Sequence, residues 1–352
     1  MRGKTPADLP QFTGLRGIAA CLVLLGHVRT PVGLTLDFAV VDPLAKFGIF
    51  GVDIFFVLSG YILCHVYADR LTSDQGIVWE FFAARFARIY PLHVVTLFLM
   101  LGAYSASALI GVAPTETSGY SLKAVVLSLL LVDEWFGVVA PNPSSWSISV
   151  EFANYLYFPF VIPALAPLRR WYLPVIIVGT IIIFLTDSRL LRGTTEFMMG
   201  CAAFYMARDW PLRRTMGLTG LLFLAPFALA NYGGSTCYWF AALCFTGLVF
   251  LLSSGAADDF FGRVCASRPL VFLGDISLSV YLLQWFVWVG WKHLLARSPF
   301  FVDNPYAVSF AAVVSVIVAS AISYYTFERP TRIWLRKRLV APWSADSAIR
   351  QA

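Results

Sequence analysis

Stretches of about 20 predominantly apolar residues recur along the whole chain, and about 20 such residues in a helix cross the hydrocarbon core of a bilayer. Eleven runs reach or approach that length, over 12–30, 47–68, 91–112, 121–133, 146–166, 172–187, 194–208, 216–231, 236–253, 270–295 and 306–327. Lipid offers no hydrogen bonds to the backbone, so such runs must satisfy their amides and carbonyls internally, as helices. The composition agrees: 13% of the residues are charged, about half the share of a soluble domain. The chain reads as all-α, a polytopic transmembrane helical bundle. One membrane-embedded domain is expected over 1–338 and a short cytoplasmic tail over 339–352, without an appended soluble domain. The first run lacks a short apolar core ending in a small-residue cleavage site, so it is expected to be retained.

Charge sets the orientation. The run 121–133 is short enough to be re-entrant or interfacial. If it does not span, the bundle has ten spans with both termini cytoplasmic, and 19 of the 26 Lys and Arg residues fall inside. If it spans, every later loop changes sides and the inner count drops to ten, so the excess of inner positive charge selects ten spans. The basic excess is thereby explained without nucleic acid, which is not an expected partner; membrane lipids are. The six scattered cysteines lack a Cys-x-x-Cys spacing and read as small core residues, with no metal expected.

Ionisable residues inside spans are costly and are functional candidates. Arg16 and His27 are eleven residues apart, about three helical turns, so they share one face, with Arg16 at the inner boundary and His27 deeper. His27 reads either as a general base or as a buried imidazole donating to a carbonyl. His65, His93 and His293 lie near span ends, where an interfacial role suffices. Asp53, in the outer turns of the second run, is expected to face the interior near a cation or a hydrogen-bond donor. Ser59-Gly60 reads equally as a small packing face and as a place of close ligand approach.

Arg85 and Arg88 share a helix face at i, i+3 in an amphipathic stretch leading into the third span, suited to bidentate phosphate contact or to attachment at anionic headgroups. Glu151, about 7 Å in from the expected outer entry of the fifth run, matches the depth of His27. The two form either a general-base pair or an inert interhelical one. Ser59, Ser147 and Gln284 are candidate oxyanion donors. Glu328, Arg329 and Arg332 read as an ionic cluster that stops the last helix, where Pro330 also opposes continuation.

Four segments taken in order, Arg16-x10-His27, Gly51-Val-Asp53-Ile-Phe-Phe-Val-Leu-Ser59-Gly60-Tyr61, Arg85-Phe-Ala-Arg88-Ile-Tyr-Pro91 and Ser145-Trp146-Ser147-Ile-Ser-Val-Glu151, resemble the acyltransferase-3 family of membrane acyltransferases, from Phe12 to about Arg338. The resemblance implies a roughly ten-span O-acyltransferase that takes an acyl group, acetyl by default, from cytoplasmic acyl-CoA to a hydroxyl of a saccharide, glycolipid or glycosylated metabolite. It assigns His27 and Glu151 to catalysis. It carries Arg16, Ser59, Gly60, Tyr61, Arg85 and Arg88 over as binding residues, and Asp53, Trp146, Ser147, Tyr281 and Gln284 are added to the expected binding site from the reading of the residues themselves. The chain departs from the family's Ser-Tyr-x-x-Tyr-Leu-x-His-x-Pro pattern, carrying Leu278, Gln284 and Phe286 where Tyr, His and Pro are expected. The expected location is a bacterial cytoplasmic membrane, and a secondary transporter or flippase is the rival reading.

Overall fold

The computed structural model describes residues 9–32, 48, 50–73, 77–109, 118–168, 170–211, 217–233, 237–255, 259–295 and 305–350. His293 as a side chain, and residues 113–117 of the long outer connection, lie outside that description. The described residues form helices α1 (Pro10–Val32), α2 (Phe50–Ser73), α3 (Ile77–Leu109), α4 (Leu122–Leu129), α5 (Ser145–Leu165), α6 (Tyr172–Leu185), α7 (Arg189–Asp209), α8 (Leu218–Gly233), α9 (Tyr238–Gly255), α10 (Phe260–Cys265), α11 (Arg268–Asp275), α12 (Ser277–Leu295), α13 (Pro305–Ser323) and α14 (Arg329–Arg350). No strand occurs among them. Four helices are long and apolar enough to cross a membrane, and a fifth if α11 and α12 count as one bent span; α6, α8 and α9 are apolar but shorter. The chain divides into two compact units, residues 1–69 with 162–277 and residues 70–161 with 278–352.

The first unit is packed through small residues. Apolar tails attract helices no more than lipid does, so close backbone approach has to supply the contact. A Cβ at Gly60 would overlap the carbonyl oxygen of Phe197, and one at Gly200 would overlap that of Val57, so α2 and α7 each present a glycine to the other's backbone. Gly14 and Gly274 do the same for α1 against α10 and α11. Gly60 is therefore a packing residue. Gly60→Val should force α2 and α7 apart and destabilise by at least the ~1–3 kcal/mol typical of overpacking; a thermal midpoint in detergent equal to that of the native protein would contradict this contact.

The second unit is built on α3, whose 33 residues rise about 50 Å. The amphipathic stretch and the third span are one helix, with Pro91 inside it. Alongside its carboxyl-terminal half runs the 121–133 segment, reduced to the eight residues of α4, which rise only about 12 Å and cannot cross a bilayer. His93 pins it there. This histidine is fully buried, not interfacial as expected, and its Nε2 donates to the Ser128 carbonyl at 2.9 Å.

Two further expectations are corrected in this part of the chain. The run 270–295 is not one helix but two, α11 and α12, broken at Ile276. Pro330 does not end the last helix either. A π-helical turn at Tyr324–Glu328 leads directly into α14, and Pro330, as its second residue, needs no amide partner in a first turn. The tail expected after Arg338 continues that helix to Arg350.

Candidate functional site

In the first unit, α1 carries Arg16 and His27, both half-buried. The bulk beside them is set by α2. Tyr61 is enclosed by Phe12, with ring centroids 4.9 Å apart, and by His65 and Phe204. Ser59 is nearly buried. Of the two partners expected for Asp53, a cation or a hydrogen-bond donor, the structure supplies a cation: Arg192 Nε lies 3.5 Å from Asp53 Oδ1 and 3.9 Å from Glu196 Oε1. The Arg192 guanidinium also sits 4.2 Å from the centroid of the Tyr238 ring. Asp53 and Glu196 are 0% exposed and Arg192 is 7% exposed, so this is a core ion cluster. Arg192, counted from sequence among the outer basic residues, is not a loop charge. Its place at i, i+4 from Glu196, a carboxylate inside an apolar run, was the available signal for both.

In the second unit, α5 starts in the interior. Asn142, Ser144 and Ser145 are at most 2% exposed. Ser145 Oγ donates to Asp133 Oδ2 at 3.1 Å, and Trp135 Nε1 donates to the Ser149 carbonyl at 3.0 Å. The start of α5 is thus packed inside the unit, and Glu151 is half-buried further along it. The Tyr155 hydroxyl, one turn along α5, donates to Glu151 Oε1, and the Arg85 guanidinium lies 6.0 Å from the centroid of the Tyr155 ring. Arg88 interacts electrostatically with Arg85, Tyr155, Arg332 and Glu151. Glu328, in the π-helical turn, accepts a hydrogen bond from Ser279 Oγ at 2.6 Å and lies 3.9 Å from Arg332. The ionic cluster expected to stop the last helix thus belongs to a larger basic network.

The start of α5 also gathers three sequence candidates around α12. Ser147 Oγ donates to Tyr281 Oη at 2.7 Å, and Gln284 Nε2 donates to Ser144 Oγ at 3.2 Å. Asn142 Nδ2 donates to the Leu282 carbonyl at 3.0 Å while its Oδ1 accepts from the Ser144 amide at 3.1 Å. Trp146 follows at the second residue of α5, half-buried. Gln284, where the family pattern has histidine, is fully buried and acts here as an amide donor. Asn142 and Ser144, which seat the turn, were missed. His27 and Glu151 fall in different units, so their pairing is a matter for experiment.

An intramembrane histidine, buried carboxylate and arginine clusters and a buried hydroxyl-rich helix start, all on apolar helices, define a membrane enzyme or carrier. The chain belongs to the acyltransferase-3 family: the family model, described as an acyltransferase domain, matches residues 9–324. It is 28% identical to the acyltransferase MdmB of Streptomyces mycarofaciens, over 98% of this chain and 97% of that one. It is also similar to the peptidoglycan O-acetyltransferase OatA of Listeria monocytogenes, at 23% over 78% of this chain and 48% of the other. The O-acetyltransferase OatA of Staphylococcus aureus is 22% identical over 93% of this chain and 58% of its own length. The chain spans about half the length of these last two. No solved structure matches it.

Proposed function

We propose that the protein is an integral-membrane O-acyltransferase that moves an acyl group, acetyl by default, from cytoplasmic acyl-CoA to a hydroxyl of a saccharide-containing acceptor. The observation that carries this reading is the basic network of Arg85, Arg88 and Arg332 joined to Tyr155 and Glu151, within a chain whose relatives are named as acyltransferases. Guanidinium groups hold phosphate oxygens in a planar fork, and acyl-CoA carries its phosphates at the end remote from the thioester. The saccharide class of acceptor is supported by the relative named for peptidoglycan. Ten spans with both termini cytoplasmic, in a bacterial cytoplasmic membrane, put this network on the donor's side, as the positive-inside count favours.

In this mechanism His27 removes the acceptor hydroxyl's proton as its oxygen attacks the thioester carbonyl. The carbon–sulfur bond breaks, and the imidazolium returns the proton to the departing thiolate. Ser147 and Gln284 are the proposed donors to the developing oxyanion, and Arg16 and Asp53 keep supporting roles near the His27 helix. Glu151 is proposed to assist His27. A double-mutant cycle of His27→Ala and Glu151→Gln tests this assistance, which predicts strongly non-additive losses in turnover; additive losses would separate the two residues.

Acceptor-dependent release of free thiol from acetyl-CoA by the purified protein tests the function itself. The donor site has its own test. Arg85→Gln and Arg88→Gln should each weaken coenzyme A binding by about tenfold or more, the worth of a charge-assisted hydrogen bond. Calorimetry showing unchanged affinity in the double variant would remove the network from donor binding.

A further inference from the structure

A cavity of about 310 Å³ lies against α3 in the second unit, lined almost wholly by hydrocarbon and aromatic surface. Sites for small ligands and cofactors have this character, apolar walls with a few placed polar groups. The walls of this one are flat. Trp79, Phe82, Phe86 and Tyr90 come from one face of α3, and Phe152 and Tyr155 face them from α5. The rings are also held in place: Trp79 Nε1 donates to the Leu339 carbonyl of α14 at 2.9 Å, and Phe86 and Tyr90 stack with centroids 4.5 Å apart. Leu131, a further wall residue, is buried with a left-handed backbone at φ 60°, a strained conformation for a non-glycine residue and one that gathers at ligand sites.

Among the described residues, one charged side chain lines the cavity, Arg85. Its guanidinium lies 6.0 Å from the centroid of the Tyr155 ring, and it interacts with Arg88, the member of the basic network that also interacts with Arg332 and Glu151. The cavity is therefore an aromatic extension of the network assigned to the donor's phosphates. Its rim is open, with Trp79 and Phe86 42% and 45% exposed.

We infer that this cavity seats the adenine ring of the acyl donor. The inference rests on the reading of acyl-CoA as that donor and adds which part of it the aromatic walls hold. In coenzyme A a single ribose separates the base from the phosphates, whereas the acyl group lies beyond a long amide-bearing arm. A cavity bordered by a phosphate-binding arginine is thus within reach of the base and remote from the acyl end. Aromatic side chains stack on any nucleobase through its π-face, and the ring nitrogens, which lie on the edge of the base, stay hydrated at the open rim. A lipid tail, by contrast, requires neither flat walls nor a cation among them.

The test uses the full chain in nanodiscs, with coenzyme A, phosphopantetheine, which keeps the arm and a phosphate but has no base, and coenzyme A carrying a photoreactive azide on its adenine. Light should attach the azido ligand to peptides bearing Phe82, Phe86 or Phe152, and the adenosine bisphosphate half of coenzyme A, added alone, should block this labelling. Phe82→Leu and Phe86→Leu keep the walls apolar and each remove one flat face. Each should weaken coenzyme A binding by about 5- to 150-fold, the usual worth of a base stacked on an aromatic side chain, and leave phosphopantetheine binding unchanged; thermal melts show that the variants fold. Unchanged coenzyme A affinity in both well-folded variants, or equal losses for the two ligands, would overturn the inference. So would labelling of the same peptides by a phospholipid with a photoreactive tail that persists at saturating coenzyme A, which would give the cavity to the bilayer. A native protein that binds no coenzyme A would overturn the donor reading itself, whereas native binding with the azide attached outside the cavity would overturn this inference alone.

Discussion

Replacing His27 by alanine should lower acyl transfer by about 10² to 10⁴-fold, the usual contribution of a general base, while the protein still inserts and folds. The side chain is half-buried toward the carboxyl-terminal end of α1, and a small uncharged residue there costs a membrane helix nothing. Donor binding should be unchanged, because the basic network assigned to coenzyme A belongs to the other unit. Near-normal turnover in well-folded His27→Ala would remove the imidazole from the chemistry. High donor concentration should partly rescue a double variant of Arg85 and Arg88 but should not rescue His27→Ala.

The second large effect concerns stability. Arg192 is the cation between Asp53 and Glu196, and all three are essentially out of contact with solvent. Removing one member of a buried ionic group leaves the others uncompensated, at a cost of about 3 to 5 kcal/mol. Arg192→Leu should therefore lower the thermal midpoint sharply or prevent accumulation. Adding Asp53→Asn and Glu196→Gln should recover part of the loss, because the uncompensated carboxyls are then gone. Thermal melts in detergent read both outcomes; an Arg192→Leu protein as stable as the native one would show that the cluster does not hold α2 to α7.

Much of the helix layout was legible because an apolar run is a direct physical requirement of lipid. The runs at 172–187, 216–231 and 236–253 agree with α6, α8 and α9 within two residues at each end. Asp53 was likewise legible in part, since a carboxylate in that position needs a cation or a hydrogen-bond donor, and a cation is there. Which cation was not, because Arg192 lies far along the chain and only packing through Gly60 and Gly200 brings α7 to α2.

Features set by tertiary contacts escaped the sequence. A proline normally reads as a boundary, yet α3 continues through Pro91, and α14 accepts Pro330 because its first turn needs no donor there. The break at Ile276 has no proline or glycine at its centre and no sequence signal of its own. The surroundings of Glu151 were not legible, because an apolar run shows where a helix is, whereas only packing shows that the start of α5 is buried, with Ser145 hydrogen-bonded to Asp133. Arg85 and Arg88 looked equivalent at i, i+3. In the structure Arg85 borders the apolar cavity, while Arg88 lies among the charged groups of Arg332 and Glu151.

The proposed activity makes a covalent acyl ester and does not merely move a molecule across the membrane. Proteoliposomes containing the purified protein, given acetyl-CoA labelled in the acetyl group on the side of the basic tail together with a saccharide-bearing lipid fraction, measure this directly. The account predicts an acceptor whose mass rises by one acetyl group, matched by free coenzyme A, and no product when the protein carries His27→Ala. Counterflow of unmodified acceptor, without any covalent product or thiol release from the native protein, would contradict it.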